Sequence, residues 1–595
     1  MRIDPKAAFL SMTTEQRYFA TALLNMAHRH SLDSFRIRAL NPQNGMRELL
    51  RMMQPPANGE DLAMVGSEVA YLLASDPILR LPPFDAPASE LLALLEPKGN
   101  GKDKALEKNK HLIQSFAKET QQMLGAGYVG ACLSWLDRKL AIPTAGSPPP
   151  TKAALNEIKV VTGNLLSVLL DNGASLESLF QYYWQIIAKP SPGKPYVFAD
   201  RFSLLVKLIN NPTKKFSVVF SVDNLGDPSV FPTSIGGVVF SAAPPTLVSP
   251  APPATRYATS FPNRIFADIE VETSDERTAG TKAYALLNGI LDLVRFEYER
   301  NRLHLADEFL CTDKATLGKY RIFPIPKVVP NPSAAVGVAE LQEFALTVGE
   351  LVDGPSIASD GRDRIQSAFR LYRVGADTNI FENKLTNWWT ATEYLVKGVS
   401  TSGSIGKAVE DTLVPVLCLG YVKKLLFSFR NVLVDMKASV SDPVTGMPVL
   451  LKQLDGASVF SLFRNSAVHT QLLSAVNSEP FVHAHLEDFL ASLSSEKTIL
   501  GILKSHEQRL RWHIQRIYRA RCDIVHSAER VVAAALLCAN LEFYLKSTLT
   551  ALLQALKGSP HITGPKEFFD RQVHAYGRVL EGLENNDPSR LLAIL

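Results

Sequence analysis

An arginine and a histidine five positions apart, Arg521 and His526, sit near the C-terminal end in the stretch RLRWHIQRIYRARCDIVH, Arg509 to His526. A guanidinium stays charged at physiological pH and matches the oxygens of a phosphate, while an imidazole gives or takes a proton near neutrality. The two together are a minimum set for cutting RNA without a metal. Spacing alone carries no weight: three Arg/His pairs with four to six intervening residues occur, Arg464/His469, Arg519/His526 and Arg521/His526, against roughly two from random placement.

Context separates them. Leu510, Ile514 and Ile517 follow the i, i+4, i+7 rule and Arg521 falls at i+11 on the same apolar stripe, so it should face a packed or partner-facing surface, where an unpaired guanidinium is costly. Arg509, Arg511, Arg516 and Arg519 lie off that stripe and read as solvated charges. Five residues of ideal helix turn through roughly 140° beyond a full revolution, so Arg521 and His526 share a site only if the helix breaks between them. Ser527 can N-cap the last helix, with Glu529 in its first turn.

The rival FRNSAVH, with Arg464, Asn465 and His469, lacks a long apolar helix directly after it and reads as a loop or helix end. Cys522 and His526 at i, i+4, or His483 and His485 in HAHLED, have no second ligand pair nearby, so no metal is expected. Neither GxxxxGK[ST] nor GxSxG occurs, which removes the P-loop and nucleophile-elbow classes. Trp512 reads as core packing before base stacking.

The elements that must position these residues are mainly helical, in a multidomain chain of 595 residues, too long for one core. Residues 1–190 form an N-terminal helical region, with EQRYFATALLNMAHR, EDLAMVGSEVAYLLAS and AALNEIKVVTGNLLSVLLDNG at three-to-four spacing. A lysine-rich stretch from Pro97 and a proline-rich link, Ile142 to Lys152, read as a solvated face and a linker. Residues 191–355 form an α+β middle domain: KKFSVVFSV, GGVVFSA, RIFADIEVE and KYRIFPIP are strands, GTKAYALLNGILDLVRFEYE is a helix, and Pro244 to Pro253 is neither helix nor central strand. Residues 356–557 form a C-terminal all-α bundle, and 558–595 a linker with one short helix.

A formal charge of +4 leaves nucleic-acid affinity to local patches. Five scattered cysteines fit a reducing compartment, and the N-terminus has no apolar signal region. LVPVLCLGYVKKLLF meets Lys423 and Lys424 before it could span a bilayer. A cytoplasmic protein without membrane contact is expected.

The order NWWTATEYLVKG, several helices, RIYRARCDIVHS and one long apolar helix resembles the HEPN superfamily, most closely its Apea-like branch, over about 380–557. That resemblance implies an HEPN-like helical bundle that forms a homodimer, and a metal-independent endoribonuclease with no cofactor, serving as a regulated toxin or anti-phage effector. His526 would act as general base toward the ribose 2′-hydroxyl or as acid toward the leaving 5′-oxygen, and Arg521 would stabilise the phosphorane. Glu393 would be the acidic partner of Arg521. Arg516, Arg519 and Tyr518 would contact the RNA, tRNA among the candidates. The family favours Asn, Asp or His directly after the arginine; Cys522 stands there, with Asp523 one further on. A binding-only or dimerisation protein is the alternative, and a phage-derived or partner-protein trigger would act through the first two-thirds of the chain.

Overall fold

The computed structural model describes the chain apart from residues 5–10, 29–30, 32–34, 55–58, 97–105, 145, 147, 190–194, 212, 224–230, 249–250, 260–263, 298–302, 317, 326–341, 343–344, 347, 350–356, 379, 400–402, 528–530, 532–533 and 560. It is 70% helix and 8% strand. The helices and the sheet divide into two compact units, and the division differs from four consecutive segments: Met1–Val168 and Val328–Leu595 form one unit, and Leu169–Lys327 the other.

In the larger unit the first and last parts of the chain share a core. Helix Thr14–Ala27 opens with a capping box between Thr13 and Gln16 and buries Tyr18 against Phe481, with ring centroids 5.2 Å apart. Arg17 reaches Glu479 at 3.2 Å beside it. Helices Pro42–Arg51 and Gly59–Ser75 follow, then Asp85–Leu95, Lys110–Lys139 and Lys152–Asp171. Residues 97–105, the start of the lysine-rich stretch, lie outside the described part. The C-terminal helices enclose a core of Leu426, Phe460, Phe463, Leu486 and Leu503.

The helix expected within residues 558–595 is present after a short link, and it is packed into the larger unit instead of being an appendage. Pro565–Glu584 is a 20-residue helix with Phe568 and Phe569 fully buried, and Val579, Leu583 and Leu591 belong to the same core. Gly564 is its N-cap and Pro565 its first residue, the position where a helix tolerates proline.

Among the described residues the smaller unit carries one antiparallel sheet of six strands, β1 (Lys214–Asp223), β2 (Ser234–Ile235), β3 (Val238–Ser241), β4 (Ile265–Thr273), β5 (His304–Asp313) and β6 (Arg321–Pro324), in the order β2-β3-β4-β1-β5-β6. Gly236 and Gly237, with φ of 56° and 84°, make the two-residue turn between β2 and β3, a geometry that needs positive φ at both positions. β1 is central and covered on both faces, by helix Glu276–Glu297 on one and Pro252–Thr259 on the other. The latter helix starts inside the proline-rich stretch, with Pro252 and Pro253 in its first turn, where the missing N–H groups are harmless.

Two stretches, Lys152–Asp171 and Ile405–Asp435, are long and apolar enough to cross a membrane; 50% and 67% of an apolar 18-residue segment within each is buried inside the fold.

Gly280 lies flat against the Phe309 ring where the long helix crosses β5, and an added Cβ would overlap that ring. Gly280→Ala is therefore expected to destabilise the smaller unit by about 1–3 kcal/mol through overpacking, read as a lower urea midpoint with unchanged slope.

Candidate functional site

The helix that carries the Arg/His pair runs unbroken from Glu496 to Ser527. Ser527 is its last residue and not the cap of the next helix, which begins at Ala534; Glu529 lies outside the described residues. The expected break between Arg521 and His526 is therefore absent, and within one copy the two side chains leave faces roughly 140° apart. Continuous backbone hydrogen bonding through the last turn outweighs what a serine cap would offer. His526 is exposed at the helix end and Arg521 is half-buried.

On the face of Arg521 the surroundings are specific. Its Nη2 stands 3.6 Å from Glu393 Oε1, and the Trp389 indole donates to that same oxygen at 2.6 Å. Arg521 Nε is buried and meets no hydrogen-bond acceptor among the described residues, an arrangement that costs free energy until an acceptor arrives. The tryptophan pair explains how Glu393 is held. Trp388 donates to Tyr372 O at 3.0 Å and packs on Gly375, while Lys384 donates to Gly375 O and Ala376 O at 3.0 and 2.8 Å, closing the C-terminal end of the preceding helix. Helix Phe381–Val396 is thereby locked in rotation.

Tyr518 lies 5.6 Å from the Trp389 ring and against Gly406, so its ring is a packing element. Burial, then the neighbouring Cys522 thiol, push its phenol above the ordinary value. Cys522 itself is half-buried.

A second face of the long helix is charged and buried, which corrects the reading of its arginines. Arg516 is 9% exposed: Nε meets Glu48 at 3.0 Å, and Nη1 and Nη2 meet Glu68 at 3.2 and 2.5 Å. Arg519 meets Glu48 and, at 3.7 Å, Asp61. Asp523 accepts from Arg51, one contact being 2.6 Å, and Trp512 donates to Ser67 at 2.9 Å. Arg516 and Arg519 are thus neither solvated nor available to RNA in this arrangement; they bind carboxylates of the N-terminal helices. Burial works to raise the Glu48 carboxyl, but Arg516 and Arg519 win and hold it at about 2. Arg511 is likewise engaged, with Glu410, Asp411 and Glu507. Sequence reading had one usable signal for this clamp: Glu68 falls between Val65, Val69 and Leu72 on an apolar stripe, where a lone carboxylate needs a partner.

At the rival motif Arg464 pairs with Glu496 at 2.9 Å and His469 Nε2 donates to Phe463 O at 2.7 Å, a helix corner tied together. His485 has both ring nitrogens occupied, Nδ1 at Phe481 O and Nε2 at Lys159 Nζ. Among the described residues no group of three or more His, Cys, Asp or Glu is placed to hold a metal.

Glu68→Ala should leave Arg516 with a buried, half-compensated charge and cost about 3–5 kcal/mol in urea unfolding. The Glu48 carboxyl is depressed in the folded chain from 4.5 to about 2, so its stabilisation is complete above pH 4.5 and is lost as pH falls toward 2; Glu48→Gln should flatten that part of the stability profile. No protein-family model, no curated protein and no solved structure shows a match to this chain.

Proposed function

We propose that the chain is a metal-independent endoribonuclease of HEPN type, its C-terminal helices forming the Apea-like bundle. It acts in the cytoplasm as a homodimer formed through that bundle, on RNA such as tRNA. The observation that carries this reading is the state of Arg521: half-buried, 3.6 Å from a carboxylate fixed by Trp389, with a buried Nε that meets no acceptor among the described residues. A phosphate oxygen would satisfy that donor and bring the charge a guanidinium favours.

Because one unbroken helix points Arg521 and His526 in different directions, the cleft is formed by two copies, Arg521 of one beside His526 of the other. The imidazole takes the 2′-hydroxyl proton, O2′ attacks phosphorus, and the P–O5′ bond breaks as O5′ takes a proton. Products are a 2′,3′-cyclic phosphate and a 5′-hydroxyl. Arg521 stabilises the charge on the equatorial oxygens of the phosphorane.

The N-terminal helices act as the restraint, since Arg516, Arg519 and Asp523 of the motif helix are all held by them. A phage-derived or partner protein that competes for those contacts is the trigger, in keeping with a toxin or defence effector. The unbroken helix also favours a second reading, a binding-only or dimerisation bundle that engages RNA without cutting it.

Wild type, Arg521→Ala and His526→Ala, incubated with tRNA and total RNA in EDTA, separate the two. The nuclease reading expects cleavage with cyclic phosphate ends by the wild type and a loss of at least a hundredfold in both variants. Binding without cleavage, or equal cleavage by His526→Ala, rejects it, and Arg464→Ala with His469→Ala checks the other motif. If the N-terminal helices restrain the site, Arg51→Ala should raise cleavage several-fold while shifting stability by less than about 1 kcal/mol, Arg51 being largely exposed.

A further inference from the structure

The third face of the long helix lines a cavity of about 610 Å³ within the larger unit, about 18 Å along the helix from Arg521 at 1.5 Å per residue. Five cationic side chains and two carboxylates line it. One carboxylate, Glu68, is bound to Arg516, and the other, Asp488, to Lys152. Arg38, Lys159 and Arg509 thus face one cavity, and no carboxylate pairs with any of them among the described residues. Arg509 is the exception among the arginines of its stretch, the others all having carboxylate partners.

Lys159 is held in place. The His485 Nδ1–H donates to Phe481 O at 2.7 Å, which leaves Nε2 to accept from the Lys159 ammonium at 3.1 Å. Burial, then Arg38 and Arg509, pull the ammonium down to about 8, with Asp488 pulling the other way. Burial raises the Tyr71 phenol, yet Arg38 and Arg509 hold it below its ordinary value. Three like charges acting on one another, with the nearest carboxylate, Asp488, already paired to Lys152, favour a polyanion.

One wall is aromatic. Tyr71, 40% exposed, lies 5.9 Å from Trp512 with the Arg38 guanidinium 5.5 Å over its ring. His513 and Asn540, 3.3 Å apart, also line the cavity, with His513 Nδ1 engaged by the Tyr544 hydroxyl. A flat ring joined to several negative charges is the ligand this combination fits, and the volume is in the range of small-molecule sites, roughly 300–1,000 Å³, not of a nucleic-acid duplex.

We propose that this cavity binds a nucleoside polyphosphate, with Arg38, Lys159 and Arg509 on the phosphates and Tyr71 against the base. The site is independent of the nuclease reading and stands or falls without it. Calorimetric titration of the full chain with ADP, inorganic pyrophosphate and adenosine tests it. Expected are one ADP per chain, weaker pyrophosphate binding and no measurable heat with adenosine. Arg38→Ala and Arg509→Ala, both at exposed positions, should each weaken ADP at least tenfold with an unchanged unfolding midpoint; Tyr71→Ala should weaken ADP several-fold and leave pyrophosphate unaffected. The proposal is overturned if ADP does not saturate, if Arg509→Ala binds ADP like the wild type, or if pyrophosphate binds as tightly as ADP.

Discussion

A guanidinium buried between two carboxylates, Arg516 between Glu48 and Glu68, sets the geometry of the larger unit. Removing such a charge from water costs several kcal/mol, and only well-aimed partners offset it. The alignment required is strict, so the long helix has a single allowed rotation. With that rotation fixed, Leu510, Ile514 and Ile517 enter the core, Arg521 comes to Glu393, and Arg509 is turned toward the cavity. Three faces of one helix thus have three different electrostatic characters, and one ion cluster decides which is which.

Much of the architecture was legible in local pattern. Alternation and β-branching marked β1, β3, β4 and β6; the Trp388/Trp389 helix ends just before Gly398, whose φ is 77°. β5 was not read, because HLADEFLCTD begins acidic and its buried residues run together instead of alternating; its pairing with the buried β1 holds it. The apolar-stripe argument picked out Arg521, and it stands beside Glu393 as expected. Applied to the other arginines the same argument failed, since it treated positions off one apolar stripe as solvent. A second face can be buried against charge, and nothing local at Arg516 announces Glu48, which lies 468 residues away.

The helix end is a related case. A serine before an apolar helix is a good cap, and Ser527 nevertheless stays helical, because the ion pairs at Arg516, Arg519 and Asp523 brace the preceding turns on one side and Arg521 does so on the other. The consequence for chemistry is that the pair cannot act as a local unit, and any catalytic role for it belongs to an assembly of copies.

The larger unit is interrupted in sequence by the smaller one, and that order matters during synthesis. Glu48 leaves the ribosome 468 residues before Arg516; at about 5–20 residues per second the interval is roughly half a minute to a minute and a half. Throughout it the motif helix does not yet exist, and Glu48 and Glu68 lack the guanidinium they hold in the fold. When that helix finally emerges, its partners are already waiting. A chain of this layout makes the arginine-rich helix only after the carboxylates that pair with it, whereas the reverse order would make the arginines first.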